Sequence, residues 1–126
     1  MEAPVVKIFI VEDDEDDFIL ASEYLSRIDT FTCDVHWESN INEARRRIFL
    51  ERFDIYLIDY NMGGETGLDL VKYIREKGMR TPSIILTEMN SLNVDIDASR
   101  YGAADYLVKN ELNTSLLERS IRYALI

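Results

Sequence analysis

The sequence is poor in the residues that cross-link chains, ligate transition metals or serve as catalytic bases. It contains one cysteine, Cys33, and one histidine, His36, among 126 residues. A lone cysteine excludes an internal disulfide and favours a reducing, cytosolic compartment. His36 falls in an apparent strand, where a satisfied or exposed histidine is expected. Neither a Ser-His-Asp nor a Cys-His catalytic site can be built around it.

Basic residues are outnumbered by acidic ones. The chain has 14 Lys and Arg against 24 Asp and Glu, a formal net charge of -10. Because phosphate contacts need Lys and Arg, this balance argues against binding to nucleic acid or to an anionic membrane. Arg45-Arg46-Arg47 is a short basic patch, and a solvated helix face is its expected role. No apolar run is long enough to span a bilayer, so no membrane partner is expected.

The sequence does contain five short apolar runs that alternate with segments of helical period. The runs predict strands at residues 6–11, 33–37, 55–59, 83–87 and 106–108. In the first intervening segment, Phe18, Ala21, Leu25 and Ile28 share one helix face. Regular alternation of this kind implies parallel strands with right-handed helical crossovers. We therefore predict one α/β domain over residues 1–126, a three-layer α/β/α sandwich.

Chemically reactive side chains follow the predicted strands. They are Glu12, Asp13 and Asp14 after the first, Asp59 at the end of the third, Thr87 at the end of the fourth, and Lys109 after the fifth. Ligand sites in open parallel sheets form at the carboxyl ends of strands. Gathered carboxylates repel one another, and Mg²⁺ relieves that repulsion while keeping positions for phosphate oxygens. A cation and an ammonium around one carboxylate suit phosphoryl transfer, with Thr87 as a hydrogen-bond donor.

Four motifs in these places resemble the receiver domain of bacterial response regulators. They are Val11-Glu12-Asp13, Leu57-Ile58-Asp59-Tyr60-Asn61-Met62, Ile85-Leu86-Thr87 and Asp105-Tyr106-Leu107-Val108-Lys109. The resemblance implies a flavodoxin-like fold with a five-stranded parallel sheet in the order 2-1-3-4-5. It also implies that Asp59 takes a phosphoryl group from a histidine kinase or phosphotransfer protein, in a reaction that depends on Mg²⁺. Such a domain catalyses its own phosphotransfer and dephosphorylation and is a signalling module rather than an enzyme.

The resemblance also implies roles for the residues around Asp59. Asp13 and Asp59 would bind Mg²⁺ directly, Glu12 through water, and Asn61 through its backbone carbonyl. Lys109 would pair with the phosphoryl group. Thr87 would turn toward that group, and Tyr106 would swing inward as the second switch residue.

The acidic run leaves open which pair faces the pocket, Glu12-Asp13 or Asp13-Asp14. Position directly after the strand favours Glu12-Asp13. Asp14, Asp16 and Asp17 would then open the first helix, where carboxylates favour the positive end of the helix dipole.

The readout surface implied by the resemblance is the face made by the fourth helix, fifth strand and fifth helix. An output domain or a partner protein would bind there. In winged-helix regulators this face often forms homodimers, in which Asp105 and Arg119 would pair. Residues 117–124 resemble receivers joined to sensor-kinase or cyclic-nucleotide signalling domains, which favours a fragment of a longer protein over a stand-alone regulator.

Three positions depart from the family pattern. Gly63 replaces a usual proline, so a looser loop is expected. Asn110 replaces a usual cis-proline, and a cis bond before a residue other than proline costs about 2.5–4 kcal/mol, so either a trans bond or a strained one is expected. Glu88 replaces a small residue and would repel anionic phosphodonors.

Three other functions compete with the main one. An aspartyl-phosphate phosphatase would share the aspartate and the lysine, but it usually has a second aspartate where Asn61 stands. A flavodoxin-type protein needs a phosphate loop after the first strand, and Glu12 to Asp17 would repel that phosphate. A degenerate receiver would act only through protein contacts, although Asp59, Thr87 and Lys109 are all present.

Overall fold

A central sheet of parallel strands carries the fold. The computed structural model describes residues 3–88 and 92–126, without the side chains of 92–95. Numbered in chain order, the sheet strands are β1 (Val5–Val11), β2 (Thr32–Glu38), β3 (Ile55–Asp59), β4 (Ser83–Thr87) and β5 (Asp105–Val108). They lie in the order β2-β1-β3-β4-β5 and pair in parallel throughout. The predicted topology is confirmed.

Helices cover both faces of the sheet. They are α1 (Glu15–Ser26), α2 (Ile41–Leu50), α3 (Gly67–Glu76), α4 (Leu92–Arg100) and α5 (Thr114–Ala124). Side chains alternate along each strand, so that Ile8 and Ile10 pack with α1 and α5, whereas Phe9 and Val11 pack with α2, α3 and α4. The predicted three-layer sandwich is confirmed. Within the described part of the chain, no helix has the length and apolarity needed to cross a bilayer.

A hydrogen-bonded cap starts α1 directly behind the end of β1. The side chain of Asp14 accepts a hydrogen bond from Asp17 N at 3.1 Å. Such a cap satisfies one of the free N–H groups of the first helical turn. Asp14 thus opens the helix, as the sequence predicts, and the loop from β1 to α1 stays short.

A small hairpin fills the loop between β3 and α3. Its two strands, Asn61–Met62 and Glu65–Thr66, pair in antiparallel fashion, and Gly63 in the turn has φ 74°. A positive φ suits glycine, which has no Cβ to clash. The guanidinium of Arg45 on α2 binds the Glu65 carboxylate, with one hydrogen bond of 3.2 Å. Where the sequence predicts a looser loop at Gly63, the chain forms a hairpin tied to α2.

The chain after β5 forms one 3-10 turn, Lys109–Glu111. No described peptide bond is cis, so the bond from Lys109 to Asn110 is trans. Of the two outcomes expected for this bond, the trans one is found. The turn begins at Lys109, which places its side chain at the carboxyl edge of the sheet.

Candidate functional site

One lysine ammonium lies among three carboxylates at the carboxyl ends of the strands. Lys109 Nζ is 2.7 Å from Glu12 Oε1, 2.8 Å from Asp17 Oδ2 and 3.1 Å from Asp59 Oδ1. Glu12 follows β1, Asp17 belongs to α1, Asp59 ends β3 and Lys109 follows β5. The structure therefore brings together Glu12, Asp59 and Lys109, as the sequence predicts. It adds Asp17, which the sequence places only at the start of a helix.

Three carboxylates are arranged so that they could hold a cation. Glu12, Asp13 and Asp59 each offer one oxygen, and these oxygens lie within 4.8 Å of one another. Oxygen ligands of this kind suit Mg²⁺, which binds a few carboxylates and keeps its other positions for water and phosphate. Of the two candidate pairs in the acidic run, this geometry favours Glu12-Asp13. The donor set fits the ion that the resemblance implies.

Asn61 lies next to the central aspartate. Its backbone N–H donates a hydrogen bond to Asp59 Oδ1 at 3.3 Å. The hairpin thereby holds the backbone of Asn61 beside the acidic group, where its carbonyl was expected to act.

Burial perturbs the protonation of the cluster. Glu12 and Asp59 are 2% and 4% exposed. Burial, followed by the hydrogen bond to Asp59, raises the pKa of Glu12 to about 8. Burial also raises the pKa of Asp59, although hydrogen bonds from Glu12 and Lys109 oppose that rise. In the metal-free protein, burial thus opposes the charged form of both carboxyls.

The ammonium of Lys109 stays charged in this setting. Burial opposes its charge, but hydrogen bonds to Asp17 and Glu12 and the nearby Asp59 outweigh burial and raise its pKa. A buried charge of this kind is retained only when it is paired. Lys109 thus offers a permanent positive charge beside Asp59.

Thr87 and Tyr106 occupy the strands on the other side of Asp59. Asp59 on β3 pairs with Leu86, the residue before Thr87, and Thr87 in turn pairs with Val108, the residue before Lys109. Thr87 is buried. Tyr106 is half-buried and packs against the core between the sheet and α2, α3 and α4. The two predicted switch residues thus lie on the adjacent strands β4 and β5.

Trp37 supports the acidic loop from the edge strand, a role that sequence reasoning missed. Its indole Nε1 donates a hydrogen bond to the backbone carbonyl of Glu12 at 2.8 Å. Its ring stacks on Phe18 of α1, with centroids 4.3 Å apart and planes 4° from parallel. The sequence identifies Trp37 only as the end of the edge strand. This half-buried side chain thus joins the backbone of Glu12 to the first turn of α1.

A cavity of about 360 Å³ opens beside the cluster. Its polar lining comes from Glu12, Asp17, Glu88, Lys109 and Asn110. The carboxylate-bearing residue Glu88 therefore faces the same space as the lysine and its acidic partners. A negatively charged molecule that enters this space meets several carboxylates and one ammonium.

Comparisons with known proteins agree with this geometry. A family model described as the response regulator receiver domain matches residues 8–121. The response regulator protein PilR of Pseudomonas aeruginosa is 36% identical over 103 residues, which cover 82% of this chain and 22% of PilR. The transcriptional regulatory protein MalR of Bacillus subtilis is 32% identical over 105 residues, covering 83% of this chain and 44% of MalR. The chain thus spans less than half the length of these regulators.

Solved structures show the same fold. The BeF3-activated N-terminal receiver domain of Klebsiella pneumoniae RstA matches with TM-score 0.81 and 30% identity, over 94% of this chain and 97% of that domain. A CheY-like receiver domain protein from Methanospirillum hungatei matches in fold with TM-score 0.82 and 22% identity, over 96% and 94% of the two chains. The family match covers nearly the whole chain. This chain belongs to the response regulator receiver domain family of two-component signalling.

Proposed function

We propose that Asp59 is the residue of this receiver domain that accepts the phosphoryl group, and that a histidine kinase or phosphotransfer protein donates it. The observation that carries the proposal is the contact of 3.1 Å between the buried Asp59 carboxylate and Lys109 Nζ. Glu12 and Asp13 lie beside Asp59, and the three residues offer oxygens that could hold a cation. Glu12 shares both neighbours, but Asp59 ends the central strand β3, and residues 57–62 resemble the motif that carries the phosphoryl acceptor in receiver domains.

The reaction follows from this arrangement. A carboxylate oxygen of Asp59 forms a bond to phosphorus while the bond from phosphorus to the donor's histidine nitrogen breaks. The electron pair of that bond stays on the nitrogen, and the donor leaves as a neutral imidazole that carries a proton on its other ring nitrogen. Negative charge on the transferred oxygens must be stabilised, and Lys109 supplies a fixed ammonium for one of them. The hydroxyl of Thr87 would donate a hydrogen bond to another. Trp37 holds the backbone of Glu12 in place throughout.

Mg²⁺ is the cation we propose for this site. Glu12, Asp13 and Asp59 would hold it, with the backbone carbonyl of Asn61 as a further ligand. When bound, the ion supplies positive charge that offsets the carboxylates and the phosphoryl oxygens. The hairpin that carries Asn61 is fastened to α2 through Arg45 and Glu65, which supports a fixed position for that carbonyl.

We further propose that phosphorylation acts on the face formed by α4, β5 and α5, through Thr87 and Tyr106. An output domain or partner protein of the cytoplasm would bind this face. Asp105 already accepts hydrogen bonds from Ser120 Oγ at 2.6 Å and from Tyr106 N at 2.8 Å. In a homodimer that pairs Asp105 with Arg119, the Arg119 guanidinium would either bind Asp105 in addition to these two hydrogen bonds or replace one of them.

The proposed function is tested by labelling Asp59. Incubation with Mg²⁺ and phosphoramidate should add one phosphoryl group, detected by intact mass, and peptide mapping should place it on Asp59. Asp59→Asn should abolish the label. Asp54→Asn is the control and should leave the label unchanged. Asp54 is an exposed acid, and among the described contacts its Oδ2 accepts a hydrogen bond only from the backbone N–H of Lys7. Labelling that survives in Asp59→Asn would refute the assignment.

Trp37 provides an independent readout. It is the only tryptophan in the chain, and its indole is bonded to the carbonyl of Glu12. Mg²⁺ with beryllofluoride should therefore change its emission in the parent protein and leave it unchanged in Asp59→Asn. An equal change in both proteins would mean that the ligand binds elsewhere.

Glu88 should slow phosphorylation by small anionic donors. Its carboxylate faces the cavity beside Lys109, so that it repels acetyl phosphate as that donor approaches. Glu88→Gln should raise the rate with acetyl phosphate by about twofold to fivefold at low ionic strength, and salt should reduce the gain. Glu111→Gln is the matched control, since Glu111 is an exposed acid of the neighbouring turn. Equal rates for Glu88→Gln and the parent protein would contradict the prediction.

A further inference from the structure

The ammonium of Lys109 is surrounded by three acidic partners in the part of the chain that the structure describes, and its hydrogen bond there goes to Asp17 Oδ2. An ammonium group has three donors, and the three carboxylates of Glu12, Asp17 and Asp59 lie 2.7, 2.8 and 3.1 Å from the nitrogen. A phosphoryl group on Asp59 brings new oxygens that also need this ammonium. One existing partner must therefore give way.

We propose that Asp17 is that partner: it occupies the position on Lys109 that a phosphoryl oxygen takes, and it leaves when the phosphoryl group arrives. The proposal rests on Asp59 being the phosphoryl acceptor. It adds a residue that controls how readily the site accepts the group. Asp17 is a positioning residue in this role, because it acts through Lys109 and not on phosphorus.

Exposure identifies Asp17 as the partner that can leave. The side chains of Glu12 and Asp59 are 3% and 5% exposed, whereas that of Asp17 is 33% exposed. A buried carboxylate that loses its cation keeps the full cost of its desolvation. A carboxylate with a third of its surface in water is hydrated instead. Asp17 also lines the cavity beside the cluster, so that water can reach it.

The backbone around Asp17 does not have to move. Its N–H is bonded to the capping side chain of Asp14 at 3.1 Å, and the next residue, Phe18, is stacked on Trp37. These contacts fix the first turn of α1. Release of Lys109 is therefore a rotation of one side chain, which makes Asp17 a competitor that sets affinity without unfolding the helix.

Asp16 offers a matched control on the same turn of α1. Both residues are acids of that first turn, so that Asp16→Asn and Asp17→Asn remove the same charge from the same end of the helix dipole. Asp16 is exposed, and within the described part of the chain only Glu12, Asp17 and Asp59 contact the ammonium of Lys109. A difference between the two variants therefore isolates the contact with Lys109 from a general effect of charge.

The first measurement needs neither metal nor phosphoryl group. In metal-free protein labelled with ¹⁵N, the hydrogen bond to Asp17 and the ion pairs with Glu12 and Asp59 should slow exchange of the Lys109 ammonium protons with water. Asp17→Asn and Asp17→Ala should speed this exchange, and Asp16→Asn should leave it unchanged. Equal exchange in all four proteins would overturn the proposed contact.

The second measurement tests competition. With Mg²⁺, Asp17→Asn should bind beryllofluoride about threefold to tenfold more tightly than the parent protein. Its reaction with phosphoramidate should be faster by a similar factor. Asp16→Asn should stay within about twofold of the parent in both measurements. Unchanged or weaker binding in Asp17→Asn, with labelling of Asp59 intact, would overturn the role of Asp17 and leave the proposed function standing. Failure of every variant and of the parent to label at Asp59 would overturn both.

Discussion

A Gly67→Ala variant should unfold more easily than the parent by about 2–4 kcal/mol and should be phosphorylated about tenfold more slowly or worse. A Cβ at this position would lie 2.3 Å from the backbone oxygen of Asp59 and 2.8 Å from Ile58 Cγ2. The first contact is with backbone and cannot be relieved by turning a side chain. The end of β3 must shift, and Asp59 shifts with it.

Helix propensity alone would predict that Gly67→Ala stabilises the protein, which is the opposite of the loss expected here. Gly67 is the first residue of α3, and alanine in a helix is usually more favourable than glycine by about 1 kcal/mol. Gly64→Ala is the control, since nothing lies within 4 Å of its added Cβ and its φ is not positive. Chemical denaturation and phosphoramidate kinetics should show a large loss for Gly67→Ala and almost none for Gly64→Ala. Equal stability of the two variants would contradict the close approach of α3 to Asp59.

The metal-free protein should lose stability as the pH rises from 5 to 8, on the order of 2–4 kcal/mol. The cause is Glu12, whose pKa rises from 4.5 to about 8 on folding because of burial and the hydrogen bond to Asp59. A carboxyl with a raised pKa binds its proton more tightly in the folded state. That stabilisation is fully present below pH 4.5 and is lost as the pH passes through the folded-state value.

Glu12→Gln should remove most of this pH dependence. The amide imitates the protonated carboxyl in size and can still donate a hydrogen bond to Asp59. Its free energy of unfolding, measured with urea in the presence of a chelator, should match the parent near pH 5 and exceed it near pH 8. The lowered pKa values of Glu51, Glu65 and Glu118 act in the opposite direction, but they do so in more acidic solution. A parallel pH profile for the parent and Glu12→Gln would mean that another group is responsible.

The fold could be predicted because its strands carry a clear signal. Every residue of β3 and β4 is buried, and such strands read as continuous apolar runs. The structure extends the predicted edges by single residues, at Val5, Thr32, Glu38 and Asp105. Thr32, Glu38 and Asp105 are polar and lack the apolar character that marks the strands, and Val5 is an apolar residue that lies exposed at the strand end. The two-residue strands of the hairpin are too short to show any period.

The candidate site could be predicted only in part. The positions of some of its residues in the sequence are already explained by the helix or strand in which they lie, so that nothing in the sequence points to a second role. Asp17 in the first turn of α1 is accounted for by the helix dipole, and only the position of Lys109 in the folded chain reveals a second partner. Trp37 reads as a strand end, and its bond to Glu12 depends on the neighbouring strands. Glu12, Asp59 and Lys109 could be predicted because each follows a strand directly, where the sheet itself brings them together.

The ion pair between Lys109 and Asp17 joins residues 92 positions apart, so the cluster is complete only when the last strand has joined the sheet. During synthesis the acids on β1, α1 and β3 emerge before the strand that delivers their ammonium. A nascent chain at that stage has carboxylates that repel one another and no lysine to complete the set. On the proposed function, a chain that has not yet added β5 to the sheet lacks the ammonium that the phosphoryl group needs. We therefore expect phosphorylation to begin only when the whole sheet has formed.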